Sequence, residues 1–232
     1  MREISVREVT IVGGGTAGWL TAMILNRFLN APDQEPVVQV TVIESPKNPT
    51  IGVGEATVPA MPNLLQQLGI DETEFIRTCN ASFKLGVRFD HWGIADSGDL
   101  LRYHHPFNFP RGLAGWSPAY HFNRFGPHPD GIDFADCMAP NSAVIRAQRG
   151  PRPLGGKDYE RAIGYSYHLD AGLFAGNLRG LAARRGIRHI RDDVVEVLQD
   201  ERGFINQLRL EQGGLFQVEF VVDCTGFKGL IL

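Results

Sequence analysis

Residues 13–18 read Gly13-Gly14-Gly15-Thr16-Ala17-Gly18, and the spacing Gly13-x-Gly15-x-x-Gly18 suits the binding of a dinucleotide. Gly13 permits a tight turn. Gly15 lets a pyrophosphate approach the backbone. Gly18 lets a helix pack closely on a strand. Thr16 and Ala17 sit where the free N–H groups of a helix start would face phosphates. A second residue type completes the pattern. The run Val37-Val38-Gln39-Val40-Thr41-Val42-Ile43 ends in Glu44, and an acid at that position accepts hydrogen bonds from a ribose 2′-OH. An ordinary βα turn can carry the same glycines by chance. The context on both sides decides for the nucleotide reading.

That context is a βαβ unit. The apolar run Val9–Val12 predicts a strand, and Trp19-Leu20-Thr21-Ala22-Met23-Ile24-Leu25 begins a helix that keeps an apolar face through Phe28 and Leu29. Residues 30–36 end it with turn chemistry. Further on, Asp71 is placed to cap a helix entering Phe75 and Ile76, with Glu74 at the capping-box position. Residues 82–92 alternate as a strand does. Residues 93–156 are rich in proline and glycine, and carry aromatics at Tyr103, Phe107, Phe109, Trp116, Tyr120, Phe122 and Phe125. Asp170 caps a helix predicted to run to about Arg185, with a stripe of Leu173, Phe174, Leu178 and Leu181. Strands are predicted over 187–190, 194–198, 205–210 and 216–222. The last ends in Asp223-Cys224-Thr225-Gly226, another strand-to-glycine corner.

Composition narrows the function classes. The chain has 232 residues, 43% hydrophobic and 21% charged, with a net charge of −3. No run of Lys or Arg supplies the basic footprint that nucleic acid demands. No stretch approaches the roughly 20 apolar residues of a membrane span. Cys79, Cys137 and Cys224 are odd in number and far apart, which fits a reducing cytoplasm rather than a disulfide framework. His104, His121, His128 and His168 lack ligand spacing, so no metal site is expected. Asp96, Asp99, Asp130, Asp133 and Asp136 read as turn formers or solvated acids.

Four segments together carry a resemblance. They are the Gly13–Trp19 corner, Gly52-Val53-Gly54-Glu55-Ala56-Thr57-Val58-Pro59, Phe83-Lys84-Leu85-Gly86-Val87-Arg88-Phe89, and Val222-Asp223-Cys224-Thr225-Gly226-Phe227. In this order and spacing they resemble the flavin-dependent tryptophan halogenases, a branch of the FAD-dependent monooxygenase fold. The resemblance runs from about residue 8 to about residue 230. It implies an α/β fold: a Rossmann-like, glutathione-reductase-like FAD-binding domain with an elaborated, loop-rich second lobe. The expected division is 1–60 and 160–232 for the FAD-binding core and 61–159 for an inserted substrate-side lobe.

The resemblance also implies chemistry. Reduced FAD from a separate flavin reductase, O₂ and halide yield hypohalous acid, and a lysine delivers the halogen to an electron-rich aromatic such as tryptophan. Lys84 matches that lysine. An ammonium can donate a hydrogen bond to hypohalous acid, and a neutral amine can form a haloamine. Without the resemblance it reads as a strand lysine facing solvent. Gly54, Glu55 and Ala56 match a strap that lies along the flavin. His105 and Phe107 match residues placed against the substrate ring, and otherwise read as a small loop core. Val194 matches the segment whose backbone holds the adenine, and is equally a core residue.

The family's Trp-x-Trp-x-Ile-Pro stretch does not occur among these residues, and its glutamate base belongs to a later segment. The expectation is an N-terminal portion of the family's fold, with the C-terminal part absent. A homodimer is one assembly left open. Two other functions stay open as well: an FAD-binding oxidoreductase that does not halogenate, and an inactive FAD-binding module.

Overall fold

A computed structural model describes residues 6–30, 35–48, 54–95, 97–108, 117–126 and 134–231. Gly52, Val53, Asp96, Phe109, Trp116, His128, Asp130 and Asp133 lie outside the described residues. In chain order the elements are β1 (Glu8–Val12), α1 (Thr16–Leu29), β2 (Gln39–Glu44), β3 (Gly54–Ala56), α2 (Ala60–Gln67) and α3 (Glu72–Thr78). There follow β4 (Ser82–Lys84), β5 (Gly86–Ile94), β6 (Leu100–Pro106), α4 (Pro118–Phe125), α5 (Phe134–Met138) and α6 (Asn141–Arg146). The chain then forms β7 (Ser166–Asp170), α7 (Ala171–Arg184), β8 (Arg188–Arg191), β9 (Val194–Gln199), β10 (Ile205–Leu210), β11 (Gly214–Gln217) and β12 (Phe220–Asp223).

Two compact units emerge. The first takes residues 1–55, 77–80 and 169–232, and the second 56–76 and 81–168.

The first unit is built on a parallel sheet of order β12-β1-β2-β8. Val9, Ile11 and Val12 of β1, and Val40, Val42 and Ile43 of β2, are buried, the pattern of parallel strands covered on both faces. Val12 and Ile43 pack with Leu208, Leu210 and Val218, so one face meets the antiparallel sheet β11-β10-β9. Strand alternation turns Val9, Ile11, Val40 and Val42 to the other face, where α1 packs on β1, β2 and α7. This is the Rossmann-like arrangement expected from the βαβ pattern.

The Asp170 carboxylate accepts from the Leu173 amide at 2.9 Å and caps α7 as predicted. The stripe differs from the leucine reading. Ala171, Phe174, Ala175, Leu178 and Ala182 are buried, whereas Leu173 is 43% exposed. Two α1–α7 backbones that approach closely favour small residues on the seam, and alanines serve there better than leucine. The run 216–222 also differs, for it is two strands. β11 pairs antiparallel with β10, and β12 pairs parallel with β1. Between them the Val218 amide donates to Asn206 O, and the Glu219 carboxylate accepts from the amides of Arg7 and Glu8. The chain thus changes sheets within one apolar stretch.

In the second unit, α2 and α3 precede β4, which pairs antiparallel with β7. The Asp71 carboxylate accepts from the Glu74 amide at 2.7 Å, which confirms the predicted cap. The strand expected over 82–92 breaks after Lys84, and β5 then forms a hairpin with β6. One face of this hairpin carries α5 and α6.

Candidate active site

In the first unit, the glycine corner follows β1. The Gly13 amide donates to Ile43 O at 2.9 Å, and Gly13 has φ +123°, a conformation closed to most side chains. A Cβ at Gly18 would stand 1.9 Å from Gly13 O, so this glycine brings helix and turn together. Gly15 differs from both. Among the described residues a Cβ there would meet nothing within 4 Å, so Gly15 opens onto free space among them. It is the N-cap of α1, and no side chain caps the helix there. The first-turn N–H groups have no intrahelical acceptor and suit an anion. The Thr16 hydroxyl is turned to Ala171 O at 3.3 Å, and Ala17 is exposed.

Glu44 ends β2 beside this corner. Its carboxylate lies 2.7 Å from His189 Nε2 and 3.4 Å from an Arg179 Nη1. A Cβ at Gly14 would stand 2.1 Å from Glu44 Cγ, so the middle glycine makes room for the acid's own side chain. His189 rests edge-on against Trp19, with ring centroids 4.9 Å apart. Sequence reasoning missed Gly14, Arg179 and His189. Only the parallel pairing of β2 with β8, which sets Val42 opposite His189, could have pointed to the last. Together these features form a cradle that fits a dinucleotide: an uncapped helix start, open space over Gly15, and a positioned acid at the strand end. Among the described residues a Cβ at Gly54 likewise meets nothing within 4 Å, Ala56 is exposed and Glu55 half-buried. The Val194 side chain packs on the Val12–Ile43–Leu208 cluster, which leaves only its backbone for a ligand.

In the second unit, Lys84 ends β4 and is 9% exposed. Its Nζ donates to Thr57 O at 3.0 Å and lies 5.3 Å from the centroid of the Phe107 ring. Phe107 follows β6, and its amide donates to Leu85 O at 3.2 Å. Asn141, fully buried, donates from Nδ2 to Leu85 O at 2.8 Å and to Gly164 O at 3.0 Å. Gly164 allows the close backbone approach, since a Cβ there would stand 2.1 Å from Phe107 O. The structure therefore brings Lys84 and Phe107 together and adds Thr57, from the strap segment, and Asn141, which no sequence spacing marked. His105 lies opposite Val87 on the hairpin, with an exposed side chain.

Beneath Lys84 is a buried polar cluster. The Glu72 carboxylate, fully buried, accepts from the phenols of Tyr165 and Tyr167, from the Tyr159 amide at 2.7 Å and from Arg152 at 3.0 Å. Burial, with the adjacent Glu72 carboxylate, pushes the Tyr165 and Tyr167 phenols well above their ordinary range.

The family profile described as tryptophan halogenase matches residues 8–232. The chain belongs to the tryptophan halogenase family. It is 38% identical over 243 residues to tryptophan 6-halogenase ThaL of Streptomyces albogriseolus, covering 98% of this chain and 44% of that protein. The crystal structure of a tryptophan halogenase from Shewanella frigidimarina matches with a TM-score of 0.88 and 35% identity, over 98% of this chain and 44% of that one. BrvH, a flavin-dependent halogenase from Brevundimonas sp. BAL3, matches with a TM-score of 0.76 and 32% identity, over 97% and 44%. The chain thus spans less than half the length of these members of the family. Within the family's fold, the glycine corner and Lys84 occupy two separate compact units. Among the described residues, no helix is long and apolar enough to cross a membrane, and no group of His, Cys, Asp and Glu is placed to hold a metal.

Proposed function

We propose that this chain carries the FAD-binding corner and the halogen-delivering lysine of a flavin-dependent halogenase acting on an electron-rich aromatic such as tryptophan. The observation that carries the reading is the buried Lys84 ammonium, held by one backbone carbonyl and facing the Phe107 ring. Family membership supplies the support.

FAD, when bound and reduced by a separate flavin reductase, supplies with O₂ the oxidising equivalent that turns halide into hypohalous acid. Gly13 would shape the turn, the amides of Gly15, Thr16, Ala17 and Gly18 would hold its pyrophosphate, and Glu44 a ribose hydroxyl. Gly54, Glu55 and Ala56 would lie along the flavin, and the Val194 backbone beside the adenine. Lys84 donates a hydrogen bond from Nζ to the oxygen of hypohalous acid. This draws electron density from the halogen, which the aromatic carbon then attacks. The oxygen leaves with the Lys84 proton as water, and the proton lost by the ring restores the ammonium to the site. Phe107 offers its ring face to the substrate, and the exposed His105 precedes it by two residues. Burial of Lys84 excludes water that would compete for the oxidant.

The test is halotryptophan formation with FAD, a flavin reductase, halide and tryptophan, for the parent and for Lys84→Ala. Product that disappears in Lys84→Ala supports the reading. Equal product from both overturns the role of Lys84. A protein that binds FAD and forms no halotryptophan overturns the halogenase reading in favour of an FAD-binding module.

A further inference from the structure

Ser166 stands directly across the β4–β7 ladder from Lys84 and is fully buried. Its hydroxyl donates to Val58 O at 2.7 Å and lies 2.5 Å from the Thr57 hydroxyl. The one proton of the Thr57 hydroxyl has two acceptors in reach, the Ser166 oxygen and Tyr167 O at 3.0 Å. The Thr57 hydroxyl also accepts from the Tyr167 amide at 3.1 Å, and the Thr57 amide donates to Tyr167 O at 2.9 Å. Residues 57 and 58 are thereby fastened to β7 at both peptide units, and the remaining acceptor, Thr57 O, receives Lys84 Nζ.

The other side of β7 is fixed as firmly. Strand alternation sends Tyr165 and Tyr167 to the side opposite Ser166, where both phenols donate to Glu72. Phe83, opposite Tyr167, packs edge-on against Tyr165 with centroids 5.0 Å apart. β7 is a two-sided bracket, with Glu72 below and Thr57-Val58 above.

We propose that Ser166, acting through Thr57, is a positioning residue for the halogen-delivering lysine. Its hydroxyl locks the Thr57 carbonyl in the direction that orients the Lys84 ammonium. One carbonyl fixed by the bracket holds one N–H of Lys84, and this leaves the other two donors of the ammonium for the oxidant. A free strap would let Thr57 O turn to solvent and release the lysine side chain to many rotamers. The inference rests on the reading of Lys84 given above, so its test uses the amine itself and not turnover.

The experiment is amine acylation by an N-hydroxysuccinimide ester, with the rate at Lys84 read by peptide mass spectrometry. The exposed Lys157 and Lys228 serve as internal references. The variants are Ser166→Ala, Thr57→Val, which keeps shape without the hydroxyl, and Thr57→Ser, which keeps the hydroxyl. Ser166→Ala and Thr57→Val should each raise the Lys84 rate roughly fivefold, the equilibrium change for one net hydrogen bond, while the references stay constant. Thr57→Ser should label at the parent rate. An unchanged Lys84 rate in both hydroxyl-free variants would overturn the proposal. A uniform rise at all three lysines would also overturn it, because Ser166 would then serve the fold at large. Halotryptophan lost in Lys84→Ala but Lys84 labelling indifferent to Ser166→Ala would reject this inference and keep the halogenase reading.

Discussion

The ammonium of Lys84 lies 3.0 Å from the carbonyl oxygen of Thr57, its one hydrogen bond among the described residues. A buried cation costs free energy unless its donors are satisfied, and one neutral carbonyl satisfies only part of an ammonium. The arrangement serves a ligand better than it serves the fold.

This gives a stability prediction. Lys84→Met should unfold in urea at a free energy within about 1 kcal/mol of the parent, or above it, because an apolar chain of similar length removes the desolvation cost. A loss of more than about 2 kcal/mol would show that the lysine is structural.

The glycines of the corner should separate ligand binding from folding. Gly18→Ala pushes a Cβ into the Gly13 carbonyl, a backbone atom that cannot rotate aside. A destabilisation of about 2 kcal/mol or more is expected in thermal or urea unfolding. Gly15→Ala meets no atom of the described residues, so its cost should stay within about 1 kcal/mol, the effect of a poorer N-cap. FAD titration followed by fluorescence should nonetheless show weaker binding for Gly15→Ala, since the added methyl occupies the open space over the helix start.

Glu72 is the deepest charge in the second unit. Glu72→Ala leaves two buried phenols without their shared acceptor and removes one partner of Arg152, and should cost about 3–5 kcal/mol in urea unfolding. Glu72→Gln keeps an acceptor oxygen and should cost less. Equal losses would mean that packing, not the hydrogen bonds, carries the effect.

The same cluster sets an alkaline limit. Burial first, then the hydrogen bond to the Glu72 carboxylate and its charge, raise the phenol pKa values of Tyr165 and Tyr167 above the ordinary 10.0. A group whose pKa is raised on folding favours the native state below its unfolded pKa. That contribution is lost as the pH climbs from 10 toward the folded value. Stability by urea titration should therefore fall as pH rises above about 10, with tyrosinate absorbance from the cluster appearing together with unfolding. Tyrosinate from Tyr165 and Tyr167 in a still-folded protein would contradict this.

Local chemistry made some of this legible. The glycine corner announces itself because strand, turn and helix are contiguous, and the Asp71 and Asp170 caps are set by residues three positions away. Long-range partners were invisible. Glu72 reads as one more acid in a first helical turn, yet its partners lie 80 to 95 residues further on. Glu44 reads as an acid waiting for a ribose hydroxyl, while Arg179 meets it from 135 residues away. The sheet change at Val218–Glu219 leaves no mark in hydropathy, because Phe216, Val218 and Phe220 keep strand alternation across it. Lys84 carried no spacing signal either. Its resemblance to a family motif named it, and its burial against Thr57 and Phe107 came only with the fold.

Halotryptophan formation by the parent and by Lys84→Ala, with FAD, a flavin reductase and halide, bears most directly on the central claim. The account predicts product from the parent and a loss on the order of 100-fold or more in the variant, at unchanged FAD affinity. Equal product from both proteins would contradict it.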